Sequence, residues 1–283
     1  LRGTAGGDRI DAGGGNDLVR ALGGADEVLE WAGYFLNASN HARAGRDALD
    51  YIAYHAYPTS RPVGPAKGCH DVVTADDFSQ FFCYADAFLE KVAAVQALVD
   101  RLSPATKTVL DECGTTRMGP FGIDQPADWV SSGAYFAYLW ARGAVQMGDR
   151  LPVVGQSQFM DSPDREPGVS MLDWRNGNGT AKYWVTRLLI ESFAPGRDRF
   201  AATASNDTAQ LYAQAFVGGT TMKRLLLINK RNAAASVALS GVTCCTVRVV
   251  DSQTNEGPPR AERCGASGTL TLAAYATAVV EVC

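Results

Sequence analysis

Glu112 has the clearest setting for chemistry in this chain. It ends the run Thr108-Val109-Leu110-Asp111-Glu112 and is followed by Cys113-Gly114. An apolar run that closes on an acid just before a glycine suits a buried strand whose last side chain is delivered to a loop-lined mouth. A carboxylate placed there could serve as a nucleophile or as a general acid and base, and retaining cleavage of a glycosidic bond uses two such groups roughly 5–5.5 Å apart. Glu112 could equally cap a turn or pair with a basic residue. Period-two alternation predicts Asp111 and Cys113 on the face opposite Glu112, so the two acids are not expected to share a role.

Four other positions have side chains suited to such a mouth. The preceding apolar stretch ends His55-Ala56-Tyr57, which puts His55 and Tyr57 on one face, and either could position Glu112 through a hydrogen bond. A core histidine bonded to backbone is the plainer role for His55. Further on, Gly155-Gln156-Ser157-Gln158 sets Gln156 and Gln158 on one face, where amides could bond sugar hydroxyls or be satisfied inside the sheet. Trp174, in Asp173-Trp174-Arg175-Asn176, could offer a flat face to a sugar ring or pack in a core.

These residues need a scaffold of parallel strands, and residues 31–197 read as one. Leu49 to Tyr57 is a buried-strand pattern stopped by Pro58. Between Thr74 and Leu102, Phe78, Phe82, Ala85, Leu89, Val92 and Val95 recur at helical steps behind a capping-box spacing, Thr74 to Asp77. A strand over 106–112, a helix from Pro126 to about Gly148, a strand over 151–159 and a helix over 181–193 follow. Alternating strands and helices predict an α/β fold of the (β/α)8 type. Residues 1–197 supply only three or four strands, so the barrel is expected to be incomplete, with only its later strands present. From 198 to 283 short strands separated by turns predict an all-β sandwich.

Residues 1–30 form a Gly- and Asp-rich segment with a nine-residue period. Asp8, Asp17 and Asp26 recur in register, as do Gly6, Gly15 and Gly24. The pattern is similar to calcium-binding nonapeptide repeats, with those three Asp as the ligands, but three units are a minimal stack. A Gly-rich loop leading into one strand, 18–22, is the favoured reading. Elsewhere no metal or organic cofactor is implied. The net charge of −4 and the absence of a basic cluster argue against nucleic acid as a partner, and no apolar run is long enough to span a bilayer. Seven cysteines, four of them at 244, 245, 264 and 283, with sequons at Asn37, Asn178 and Asn206, point to an extracellular or lumenal protein. Cys69 and Cys83 could close a loop, and the pairing of the other four stays open.

Taken in order, the motifs resemble the C-terminal part of clan A glycoside hydrolases, nearest to glycoside hydrolase family 39 and its relatives. They include Trp31 with 34–37 and 39–41, Leu49-Asp50-Tyr51-Ile52 with Tyr54-His55 and Tyr57, and Leu110-Asp111-Glu112 with Gly114-Thr115. Ser170-Met171 with Asp173-Trp174, and residues 226–231, complete the set. The resemblance implies a retaining glycosidase with Glu112 as nucleophile on the seventh strand, Tyr57 ending the sixth, and 156–158 on the eighth. The family's acid/base Glu follows an Asn on the fourth strand, and no Asn-Glu pair precedes residue 57 here. Asn255-Glu256 lies in the sandwich and is not expected to serve. The acid/base is therefore expected upstream, the chain is expected to be a fragment that is inactive alone, and an open edge near residues 18–57 is expected to drive self-association. A non-catalytic carbohydrate-binding or calcium-ordered scaffold is the rival reading.

Overall fold

The computed structural model describes residues 18–20, 33–34, 36–37, 50–56, 69, 78–115, 126–157, 159–160, 170–193, 198–200, 210–218, 222–242, 245–254, 256–264 and 268–282. Among them, β1 (Leu18–Arg20), β2 (Tyr51–Ala56), β3 (Lys107–Cys113) and β4 (Val153–Gln156) form a parallel sheet in that spatial order. Parallel neighbours need crossovers, and helices supply them. Helix α1 (Gln80–Leu102) links β2 to β3, α2 (Pro126–Met147) links β3 to β4, and α3 (Ala181–Ser192) follows β4. Four parallel strands in sequence order, with helical crossovers between β2 and β3 and between β3 and β4, make part of a (β/α)8 barrel.

The hydrophobic pattern explains the helices. In α1 the buried Phe82, Ala85, Leu89, Val92, Val95 and Val99 are spaced by three or four and form one stripe. The helix starts later than the pattern suggests, at Gln80 behind a short 3-10 turn, and Thr74 and Asp77 lie outside the described residues. In α2, Trp129, Tyr135, Tyr138 and Leu139 are almost wholly buried. The first strand comes from the Gly-rich segment: Leu18, Val19 and Arg20 pair in parallel with Tyr51, Ile52 and Ala53. That stretch is thus the outermost strand of the α/β sheet among the described residues. Asp8, Asp17 and Asp26 lie outside the described residues.

The second half is antiparallel. A six-stranded sheet runs β10-β9-β12-β7-β6-β5, with β5 Asp198–Phe200, β6 Leu211–Gly218, β7 Met222–Asn229, β9 Cys245–Val250, β10 Arg260–Arg263 and β12 Thr277–Val282. A second sheet pairs β8 (Ala235–Ala238) with β11 (Thr269–Leu272). Leu226, Ile228 and Val279 belong to the core shared with the helices, whereas Leu227, Val247, Val249 and Val280 join Val237, Leu270 and Leu272 in a second core between the two sheets. The larger sheet is therefore buried on both faces, which accounts for the unbroken apolar run 225–228.

Helices and sandwich meet along an aromatic seam. Tyr138 and Tyr212 pack edge to face at 5.0 Å, while Phe216 lies 4.0 Å from Phe193 and 5.9 Å from Trp140 between ring centroids. The polar tips at this seam are satisfied: the Tyr138 hydroxyl donates to Asp86, which also accepts from Arg142 Nε at 3.3 Å, and Lys230 Nζ sits 4.9 Å over the Tyr138 ring. Two disulfides are present among the described residues, Cys69–Cys83 and Cys245–Cys264, and Cys113 is a free, buried thiol. Cys244 and Cys283 lie outside the described residues. No described helix is long and apolar enough to cross a membrane.

Candidate active site

The C-terminal ends of β2 and β3 lie side by side, and their pairing skips a residue. Tyr54 pairs with Leu110, but the next residue, His55, pairs with Glu112. Asp111 is the extra residue of a β-bulge, and a bulge re-aims the side chains around it. Glu112 Oε2 lies 3.2 Å from His55 Nδ1, and Asp111 Oδ1 lies 3.6 Å from His55 Nε2. The first contact is at hydrogen-bonding distance; the second is a charge contact only. Strict alternation along β3 is thus corrected: Asp111 and Glu112 face the same imidazole from its two nitrogens. Cys113 does turn into the core, fully buried.

Strand β4 is shaped to receive this bulge. A Cβ at Gly155 would stand 2.9 Å from the Asp111 carbonyl oxygen, closer than side chains approach, and the β3–β4 pairing also shifts between Leu110 and Cys113. The mouth is partly open, with side-chain exposures of 22% for His55, 17% for Asp111 and 36% for Glu112. Behind it Tyr54, Leu110 and Cys113 are buried. Burial pushes the Cys113 thiol far up, the charges of Asp111 and Glu112 push it further, and the buried Lys182 of α3 opposes them. Such a thiol is no nucleophile.

The remaining sequence candidates separate. Gln156 Nε2 donates to the Lys182 carbonyl at 3.2 Å and to Thr186 Oγ1, which sets this side chain against α3 rather than beside His55 and Glu112. Trp174 is 42% exposed in the connection from β4 to α3. That connection leaves the C-terminal end of β4, so it lies at the same end of the sheet as Glu112. Tyr57 and Gln158 lie outside the described residues. Among the described residues no three His, Cys, Asp or Glu gather as a metal site.

The structure adds a part that sequence reasoning missed. Residues 172–179 form a small hairpin closed by a bridge between Leu172 and Gly179. Asp173 is 1% exposed and accepts from the backbone N–H and the guanidinium of Arg175, whose hydrogen bonds hold its carboxyl down at about 2. Arg175 also lies 5.7 Å over the buried Trp129 of α2. From the sandwich, Glu256 Oε2 accepts from Asn176 Nδ2 at 2.8 Å and Asn178 Nδ2 at 3.0 Å, and its carbonyl accepts from Trp184 Nε1 at 3.0 Å. No local pattern marks Glu256 for this role, because only the packing of the sandwich on the hairpin and α3 brings its side chain there.

Two family models match parts of the chain. The C-terminal immunoglobulin-like domain of D-apionate lactonase matches residues 209–280, and the RTX calcium-binding nonapeptide repeat (4 copies) matches residues 1–28. A search of curated proteins found no match. Among solved structures the chain is similar to the GH51 arabinofuranosidase from Xanthomonas axonopodis pv. citri, with TM-score 0.62, 14% identity, and 94% of this chain and 58% of that chain covered. The thermostable GH51 α-L-arabinofuranosidase from Thermotoga petrophila RKU-1 has TM-score 0.59 and 15% identity, with 94% and 56% covered. A glycoside hydrolase family 44 endoglucanase from Clostridium acetobutylium has TM-score 0.53 and 15% identity, with 89% and 51% covered. The chain spans little more than half the length of these relatives. At such identities the likeness concerns the fold, which is part of a barrel of the kind found in glycoside hydrolases, followed by an immunoglobulin-like sandwich.

Proposed function

We propose that the chain is part of a retaining glycoside hydrolase related to family 39, with Glu112 as its nucleophile. The observation that carries this reading is Glu112 at the C-terminal end of a barrel strand, with His55 Nδ1 3.2 Å from one of its oxygens. His55 then holds Oε2 and leaves Oε1 to attack the anomeric carbon, while Asp111 on the far side of the ring fixes the imidazole. The leaving group departs with a proton from a Glu on an earlier barrel strand than those described. Water then cleaves the glycosyl ester, with that Glu as base. Trp174 stacks on the sugar, and Tyr57 supports Glu112. The two disulfides favour an oxidising, secreted setting, and Asp8, Asp17 and Asp26 are calcium ligands of the repeat segment.

Labelling with a panel of 2-deoxy-2-fluoroglycosyl fluorides tests this. Fluoride leaves without protonation, so trapping does not depend on the acid/base. A glycosyl adduct on the peptide containing Glu112, lost in Glu112→Gln, is expected from the chain extended to the whole barrel. An adduct that persists in Glu112→Gln would overturn the assignment. The match of residues 209–280 to the immunoglobulin-like domain of a lactonase makes a sugar-acid lactone the second substrate class, tested separately by following acid release from a panel of sugar lactones. The rival, a non-catalytic calcium-ordered scaffold, draws on the match over residues 1–28, and it predicts calcium-dependent stability with no labelling.

A further inference from the structure

The hairpin 172–179 is too small to hold its own shape. One bridge closes it, and isolated two-stranded ribbons are marginal in water even when longer. Its conformation is therefore set by what it touches. The Asp173–Arg175 pair reaches Trp129 of the barrel helices. The sandwich supplies the other contacts: Glu256 receives both hairpin amides, Asn176 Nδ2 and Asn178 Nδ2, on a single carboxylate oxygen, and its side chain also meets Asp173. The Glu256 carbonyl is itself fixed by Trp184 in the first turn of α3. Hydrogen bonds to a carboxylate are about twice as strong as neutral ones, and here two of them converge on one atom. Trp174 lies between these anchors, with the buried Asp173 before it and Arg175 after it, and is 42% exposed.

We infer that Glu256, a residue of the sandwich, is a positioning residue for carbohydrate binding, docking the hairpin so that Trp174 is presented at the barrel mouth to the apolar face of a sugar ring. This rests on the reading of that mouth as a glycosidase site. The physical reason is entropic: a sugar stacking on a fixed indole orders little else, whereas stacking on a loose loop costs the ordering of the loop. The sandwich is then a working wall of the site rather than an appendage, and Glu256 acts through Trp174.

The test uses the full chain with Glu256→Ala, Glu256→Gln and Trp174→Ala. Amide exchange is followed at Asp173, Gly177 and Thr180, whose N–H groups bond Asn178 O, Asp173 O and Met171 O. Retention is measured by gel electrophoresis through arabinan, xylan and carboxymethyl cellulose. Glu256→Ala should speed exchange at these amides by at least about tenfold, the factor carried by loss of one charge-assisted hydrogen bond, with β7 and β12 unchanged. It should also weaken retention as much as Trp174→Ala does. Glu256→Gln, of nearly the same volume, should fall between, and it decides the matter if the alanine variant does not fold. Unchanged exchange overturns the proposal, as does faster exchange with retention intact. Wild-type retention that neither Trp174→Ala nor Glu256→Ala weakens overturns this proposal alone, whereas a wild-type chain retained by none of the three polysaccharides overturns the sugar-site reading and the proposal with it.

Discussion

The mouth of β2 and β3 and the seam between α2 and the sandwich both combine polar groups with strands, yet they are built to opposite ends. At the seam Tyr138, Tyr212, Phe193 and Phe216 are almost wholly buried, and the polar tips are spoken for by Asp86, Arg142 and Lys230. At the mouth a bulge sets two carboxylates around one partly exposed imidazole. Like charges held together oppose folding. The seam lies outside the sheet and has no part in the proposed chemistry, so its residues are free to be chosen for packing alone. Charged groups at a site, with close packing elsewhere, are how a fold keeps both.

The contrast can be broken from either side. On the proposed reading, Glu112→Gln should lower glycoside turnover by at least about three orders of magnitude while moving unfolding free energy by no more than about 0.5 kcal/mol. Turnover and melting measured together check this; a large fall in stability would make Glu112 a structural residue. Phe216→Ala should do the reverse, costing about 3–5 kcal/mol, because it removes a ring packed against two others. Denaturant unfolding should remain one transition for helices and sandwich alike, and two separate transitions would show that the seam does not couple them.

Gly155→Ala sharpens the same contrast, since it attacks the bulge without touching an acid. Its Cβ would press on the Asp111 carbonyl, so a loss of about 1–3 kcal/mol and a displaced His55–Glu112 contact are expected by calorimetry and crystallography. The smallest effect concerns pH. The Asp173 carboxyl sits at about 2, below its ordinary 3.8, chiefly through Arg175. A depressed carboxyl contributes stability that is full above the ordinary value and is lost as pH falls through the lower one. Amides of the hairpin should therefore exchange faster, after correction for intrinsic rates, between about pH 4 and pH 2, with no change attributable to Asp173 between about pH 5 and pH 8. A loosening already complete at pH 5 would contradict this.

Much of the scaffold is legible from residue order, and its failures have physical causes. The apolar runs of β2, β3 and β7 announce themselves because a strand buried on both faces needs them, and β6, β9 and β11 show instead the alternation of a strand with one better-buried face. Strands β5 and β10 do not: Asp198-Arg199-Phe200 and Arg260-Ala261-Glu262-Arg263 are edge strands, where charge guards against pairing with other chains and hides the strand pattern. Alternation over 151–159 predicts a mouth-facing Gln156, and the strand that is described is shorter. β4 stops at Gln156, whose amide nitrogen turns to α3.

The sequence by itself determined the fold class, the carboxylate at the end of the third described strand and the imidazole on its neighbour, because strand ends and hydrophobic periods are local properties. Tertiary structure decided the rest. That Asp111 joins Glu112 at His55 depends on one residue of slippage between β2 and β3. That Glu256 meets the 172–179 hairpin depends on how the sandwich packs on α2 and α3, and no local rule reaches across 78 or 80 residues. Register and packing are set by many weak contacts summed over the whole core, so they become visible only when the chain has closed on itself.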